Sequence, residues 1–246
     1  VKFGRLVARV DEAVQREHPR PDERLRAMAA LGAIGSITMH HTSIAGRRAK
    51  DLLLASALGV TASDPTAGRP GAHPVELPAR PVPRTRRAEI LAASVPLFAR
   101  DGFANVTNGQ IAEAVGLTPS ALYRHYPGKI DILAAACLQA AGLLAQGVEQ
   151  GLREVYGPRD AVVALAATYV AYSFEYTELN SVAEAELGGL PADLRRPVVL
   201  AQREHIAVWE QQLRLARPEL DPRQARVLVH AGFGVVVAQT AVAGQP

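Results

Sequence analysis

The stretch TNGQIAEAVGLTPSALYRHYPGKIDIL, residues 107–133, admits few folds. Ile111, Ala112 and Val115 stand at i, i+1 and i+4, which places them on one face of a short helix and leaves Asn108, Gln110 and Glu113 outside. Gly116 permits the positive φ at which a helix ends and the chain turns, and Leu117 plugs the space between two helices. A second helix then starts. Thr118 accepts from a free N–H of its first turn, and Pro119 suits the first helical position, where its missing N–H would have had no partner. With Leu122 pointing inward, Thr118, Ser120, Ala121, Tyr123 and His125 face outward. Small and hydroxyl residues let a helix end approach base edges, and a Tyr or Lys beside them binds phosphates. Two short helices around a glycine turn, with a lysine opening a third, form the helix-turn-helix that reads duplex DNA. Without their flanks, the same residues also fit a small helical hairpin with a solvated face.

The flanks favour the DNA reading. Upstream, RTRRAEILAASVPLFARDGF predicts an amphipathic helix carrying Ile90, Ala93, Val95, Leu97 and Phe98. Arg84, Arg86 and Arg87 precede it as a basic arm suited to the DNA backbone or minor groove. Pro96 inside this helix is expected to remove a hydrogen bond and bend the axis. The chain's net charge of +3 suits nucleic acid as a partner but suits ordinary proteins as well.

From Arg86 to Cys137, the motifs LFARDGF, T-x-x-x-I-A and G-L-T-x-x-x-L-Y-x-H-Y-x-G-K-x-D-I-L resemble the DNA-binding domain of the TetR family of one-component bacterial repressors. The Leu122-Tyr123 pair followed by Tyr126 and Lys129 is the family's usual signature. Gly128 stands where Ser or Asn is common, and Gly109 stands where the family often sends a polar side chain to DNA. The resemblance implies that Thr118, Ser120, Ala121, Tyr123 and His125 face the operator and that Thr107 contacts the DNA backbone. It also implies that Lys129 holds a phosphate at the start of the helix it opens.

Residues 61–83 hold Pro65, Pro70, Pro74, Pro78, Pro81 and Pro83 with Gly68 and Gly71, a density that predicts a semi-rigid, exposed linker. The preceding residues 1–60 read as three helices, one to about Arg16, one from Asp22 to about His41 and one from Ile44 to about Leu58. They echo the end of the chain. Pro19, Asp22, Arg24 and Gly35 align with Pro218, Asp221, Arg223 and Gly234, although two Ala-rich helices also match by chance. Taken as a repeat, residues 1–60 are the closing helices of a first TetR-like ligand and dimerisation domain. Residues 84–133 are then the DNA reader, and 134–246 a second ligand-binding and dimerisation domain lacking its last helix. The chain would be a piece of a tandem protein.

In the sensing half, Ile130 to about Gln150 predicts a helix of roughly 30 Å, weakened by Gly142 and Gly147. Asp160 caps a further run in which Val162, Leu165, Tyr169, Tyr172 and Tyr176 share one stripe. Such a stripe fits a core first. The pocket reading rests on three hydroxyls that need partners when buried. Pro191 to about Ala216 carries Arg195, Arg196, Arg203, His205 and Trp209. Tyr169, Tyr172, Tyr176, His205 and Trp209 are the candidate ligand-binding residues. The resemblance implies a small hydrophobic effector, an acyl-CoA or lipid-like molecule, because some relatives bind coenzyme A thioesters.

The apolar run Val227 to Ala243 is too short for a bilayer span, and the acidic ribose ligand of a dinucleotide fold has no room after Gly234. Asp221-Pro222 looks like a helix start, and Gly232 and Gly234 suit close helix packing. In the family the last two helices pair across a two-fold axis, so the resemblance implies a homodimer on a palindromic site.

The reading is an all-α protein: a helix-turn-helix bundle, then a helical ligand-binding and dimerisation domain, preceded by a helical remnant of a first copy. At 48% hydrophobic, the chain can bury such a core. The lone Cys137 gives neither disulfide nor metal set, and the adjacent His40 and His41 face different directions on a helix, so no metal or cofactor is expected. No Ser/His/Asp elbow or phosphate loop points to an enzyme. No signal peptide or lipidation motif is visible, so the expectation is the bacterial cytoplasm, with no membrane partner. The function expected is a ligand-responsive repressor released from double-stranded DNA by its effector. The alternative is a helical interaction or dimerisation module that has lost specific DNA reading.

Overall fold

Helix follows helix through the computed structural model, which describes residues 21–38, 42–62 and 75–243. No strand occurs among the described residues, and the fold is all-α. The helices are α1 (Pro21–Gly35), α2 (Gly46–Ala62), α3 (Arg86–Asp101), α4 (Asn108–Ala114), α5 (Pro119–Leu122), α6 (Lys129–Leu152), α7 (Pro158–Glu175), α8 (Thr177–Glu186), α9 (Ala192–Ala216) and α10 (Pro222–Ala243). Short 3-10 turns follow α1 at Ser36–Thr38 and α8 at Leu187–Gly189. The helix expected before Arg16, the pair His40 and His41 and most of the proline-rich stretch lie outside the described residues.

The chain divides into two units. One comprises residues 76–153 and 171–205 and contains the helix-turn-helix. Its α3 begins at Thr85, whose hydroxyl accepts from the Ala88 N–H at 3.2 Å. Ile90, Ser94, Val95 and Phe98 form its buried face, and the Ser94 hydroxyl meets its own need inside the helix by donating to the Ile90 carbonyl at 2.7 Å. The helix runs on through Pro96, whose ring is exposed, so the missing N–H falls on the side open to water.

Ile90, Phe98, Val106, Ile111, Leu122 and Tyr126 join Ile132, Leu133 and Cys137 of α6 and Val182, Leu190 and Val198 in one core. Among the described residues α6 alone is long and apolar enough to cross a bilayer by length and composition. Its apolar residues serve this core and a second one, where Ala136, Ala140 and Leu143 meet Val95, Tyr172, Tyr176 and Leu179.

The described end of the predicted linker, residues 75–83, forms neither helix nor strand, and it is held down. Leu77 packs on the second core. Tyr176 donates its hydroxyl proton to the Pro78 carbonyl, and Arg80 pairs with Glu175 at 2.9 Å.

The other unit takes in the described part of residues 1–75 with residues 154–170 and 206–246. Asp221 Oδ1 accepts from the N–H groups of Arg223 and Gln224, both at 2.9 Å, which caps α10 where Asp221-Pro222 predicted a start. α1, α2 and α10 pack through Ala33, Leu53, Val227 and Ala231. Here α1 and α10 cross so closely that a Cβ on Gly32 would overlap the Gly234 carbonyl, and one on Gly234 would overlap the Gly32 carbonyl. Tyr169, Trp209 and Phe233 form an aromatic cluster, with centroids 4.7 Å apart for Tyr169 and Phe233 and 5.2 Å for Trp209 and Phe233.

Cys137 lies in the core of the helix-turn-helix unit, and burial pushes its thiol up to about 11. A thiol reagent at neutral pH is expected to label it only as fast as the unit opens. Labelling in native buffer as fast as in denaturant contradicts that placement.

Candidate nucleic-acid interface

Residues 107–126 cap themselves. The Thr107 hydroxyl accepts from the Gln110 N–H at 3.2 Å, and the Gln110 side chain accepts from the Thr107 N–H at 2.8 Å. This is a reciprocal capping box at the start of α4, and Thr-x-x-Gln carried its signal in the sequence. Gly116 has φ 65°, and the Leu117 N–H reaches back to the Ala112 carbonyl at 2.8 Å, which closes the helix in the Schellman manner. Thr118 caps α5 by accepting from the Ala121 N–H at 3.2 Å, and Pro119 follows it.

α5 ends early, at Leu122. The chain continues as turns in which the His125 N–H donates to the Leu122 carbonyl at 2.9 Å and the Tyr126 N–H donates to the same oxygen at 3.1 Å.

Thr118, Ser120 and Tyr123 are exposed, with Tyr123 at 54%. The Thr118 and Ser120 hydroxyls are 3.0 Å apart, and Asn108 Nδ2 donates to the Tyr123 hydroxyl at 2.9 Å. That bond ties the start of α4 to the end of α5 and leaves the Tyr123 O–H proton free to donate outward. The sequence reading missed Asn108 in this role, and it also missed Arg124, an exposed cation next to Tyr123. At Gly109 a Cβ would sit 3.7 Å from Thr107 Oγ1, so the first turn of α4 is bare but has room.

Ala121 departs from expectation. It is 7% exposed and packs inward beside Leu122, because a helix this short turns two consecutive residues onto the core. His125 is half-buried.

Lys129, expected to hold a phosphate, is engaged within the protein. Its ammonium donates to the carbonyls of Phe103 at 2.7 Å, Ala104 at 3.1 Å and Val106 at 2.7 Å, and it lies 4.5 Å from the Phe103 ring centroid. An ammonium has three donors, and the loop after α3 takes all three.

Of the basic arm, Arg87 donates to the His125 carbonyl, and its guanidinium stands 3.8 Å over the Tyr126 ring. Tyr126 returns a bond to the Arg87 carbonyl at 3.3 Å. Arg86 pairs with Glu89 at 2.6 Å, while Arg84 is exposed. Arg87 and Lys129 therefore brace the helix-turn-helix, and Arg84, Arg124 and Tyr123 are exposed groups suited to phosphate.

The five candidate ligand residues are not gathered in one unit. Tyr169 and Trp209 meet in the unit containing α10, with ring centroids 6.4 Å apart and both residues buried. Tyr172, Tyr176 and His205 belong to the helix-turn-helix unit. There the Tyr172 hydroxyl donates to the Ala140 carbonyl of α6 at 3.0 Å, and Tyr176 donates to Pro78. Protein carbonyls thus already satisfy two of the three hydroxyls on which the pocket reading drew. Burial pushes the Tyr172 phenol well above its usual range.

Replacing Lys129 with Met is expected to lower unfolding stability by about 2 kcal/mol, because charge-assisted hydrogen bonds to three carbonyls are lost. Denaturant titration measures it, and unchanged stability would contradict the clamp. His205 gives a second expectation. Burial pushes its imidazole down to about 4 from 6.5. The native state therefore binds fewer protons than the unfolded state between those values, so stability is held above pH 6.5 and lost as pH falls toward 4. Melting temperatures across that window should fall more steeply in the parent than in His205→Gln; parallel curves would refute the assignment.

Residues 90–136 match the model of the bacterial regulatory proteins of the tetR family. A stretch of 45 residues, 18% of this chain, is 47% identical to the nucleoid occlusion factor SlmA of Marinobacter nauticus, and it spans 23% of that relative's length. Among solved structures, a regulatory protein of the tetR family from Rhodococcus RHA1 has a TM-score of 0.56 at 21% identity, with 62% of this chain and 83% of that one covered. AibR, solved with isovaleryl coenzyme A and operator DNA, has a TM-score of 0.57 at 16% identity, with 63% and 86% covered. The likeness to both structures is one of fold. Over residues 90–136 the capped helix-turn-helix is similar to the tetR family of bacterial regulatory proteins, and the helices packed on it share the fold of the solved structures.

Proposed function

We propose that this chain is a ligand-responsive transcriptional regulator that reads duplex DNA through α5 and represses from a palindromic operator occupied by two readers. The observation that carries the proposal is the exposed set Thr118, Ser120, Tyr123 and Arg124 on a helix whose start is capped and whose end is clamped by Arg87. Paired hydroxyls at the helix start suit base edges. Tyr123, oriented by Asn108, and Arg124 suit the flanking phosphates.

The effector proposed is small and hydrophobic, an acyl-CoA or lipid-like molecule. Support comes from the relative solved with isovaleryl coenzyme A and operator DNA. Within the helix-turn-helix unit, Tyr172 of α7 grips α6 at Ala140 and Tyr176, between α7 and α8, grips the arm at Pro78, so both flanks of the reader are tied to one tyrosine stripe. A ligand that prefers one arrangement of that stripe biases the reader by its differential affinity alone. The setting proposed is the bacterial cytoplasm, where the operator is.

Selection from random duplexes at two salt concentrations tests the reading. An inverted repeat should be enriched, with affinity falling steeply as salt rises. Tyr123→Ala and Arg124→Gln should each weaken binding by about tenfold, the equivalent of about 1.4 kcal/mol. Should a folded chain enrich no sequence, the reading as a helical interaction module takes its place.

A further inference from the structure

We propose that residues 21–62 act within the chain as the two-fold partner of α10, filling the face through which a second copy would otherwise pair. Two independent observations converge on this. The first is the internal repeat, in which Asp22, Arg24 and Gly35 of α1 stand opposite Asp221, Arg223 and Gly234 of α10 and its cap.

The second observation is the geometry of the crossing. A Cβ on Gly32 would overlap the carbonyl of Gly234 and lie 2.8 Å from the Ala238 Cβ, four residues further along α10. A Cβ on Gly234 would overlap the carbonyl of Gly32 and lie 3.1 Å from the Ser36 Cβ, four residues further along α1. Each helix therefore offers the other the same arrangement of a bare glycine backbone and a small residue one turn on. Reciprocity of this kind, where i meets j and j meets i, defines an isologous interface.

The crossing sets Gly32 against Gly234, whereas the repeat aligns Gly35 with Gly234, so the two are offset by three residues, close to one helical turn and hence along the same helix face. A two-fold axis that exchanges the repeats maps Gly32 against Gly234 onto Gly35 against Ala231. Gly35 and Ala231 are both buried. Around the crossing, Ala33, Val227 and Ala231 close the seam, and Leu53 of α2 seals one side. Arg48 of α2 reaches Asp221, the residue that caps α10, at 3.7 Å. Backbones this close leave no room on that face of α10 for a helix from a second molecule.

This proposal concerns the α10 face alone and stands or falls apart from DNA reading. Arg48 and Asp221 supply its test, since both side chains are exposed, at 59% and 44%. The full chain carrying Arg48→Lys is treated in native buffer with a carbodiimide, which joins a lysine amine to a carboxylate without a spacer. The products are resolved on a denaturing gel and mapped by peptide mass.

The result expected is a 48–221 linkage in the band of single-chain mass, 26.2 kDa. A linkage confined to a band of doubled mass shows the helices exchanged between molecules and overturns the proposal. Absence of the linkage from both bands, with the helical circular dichroism of the parent retained, overturns it equally.

Discussion

The ammonium of Lys129 sits where helix electrostatics argue against it. It opens α6, at the end of a helix that carries partial positive charge, and a cation there costs a few tenths of a kcal/mol to about 1 kcal/mol. The cost is outweighed because the loop leaving α3 aims the carbonyls of Phe103, Ala104 and Val106 at one point. Net of the desolvation of the ammonium, the three bonds together stabilise by about 2 kcal/mol, which exceeds that cost. The clamp sets the height of that loop on α6, and Thr107 caps α4 from the loop's last residue. On the opposite side, Arg87 and Tyr126 close a loop of their own between α3 and the turn after α5. The two cations brace the segments on either side of α5, whose hydroxyls are exposed.

Much of this was legible in the residues themselves. Gly116, Thr118-Pro119 and Asp221-Pro222 specify local geometry through caps and a positive φ, and each one stands where its chemistry predicted. The apolar period of α3 gave Ile90, Val95 and Phe98 correctly. What remained hidden was the direction of long side chains. Lys129 and Arg87 carry no mark in sequence to say whether their charge faces solvent or a neighbouring carbonyl, since that depends on a loop 23 to 26 residues away for the lysine and 38 for the arginine. Ala121 was misplaced because α5 is a single turn, too short for helical period to separate its faces.

The tyrosines of α7 and the tyrosine that follows it make the same point about buried polar groups. Their spacing placed Tyr169, Tyr172 and Tyr176 on a buried stripe, and all three are buried. Spacing does not show where a hydroxyl finds its acceptor. For Tyr172 that is a carbonyl of α6, and for Tyr176 it is the Pro78 carbonyl in a stretch whose composition predicted an exposed linker. A proline-rich segment lacks N–H donors but keeps its carbonyls, so it makes a good acceptor strip for phenols on a neighbouring helix.

The crossing of Gly32 with Gly234 bears on how such an interface changes over generations. In a homodimer every substitution appears on both sides of the axis, so an enlarged residue meets its own enlarged copy and is doubly penalised. With both halves encoded on one chain, each side mutates alone. A bulkier residue on α1 can then be matched by a smaller one on α10, and the axis decays into a merely approximate one. In the aligned segments Gly35 stands at the place of Gly234 but Gly32 at that of Ala231, so the two segments differ at a residue of the crossing itself.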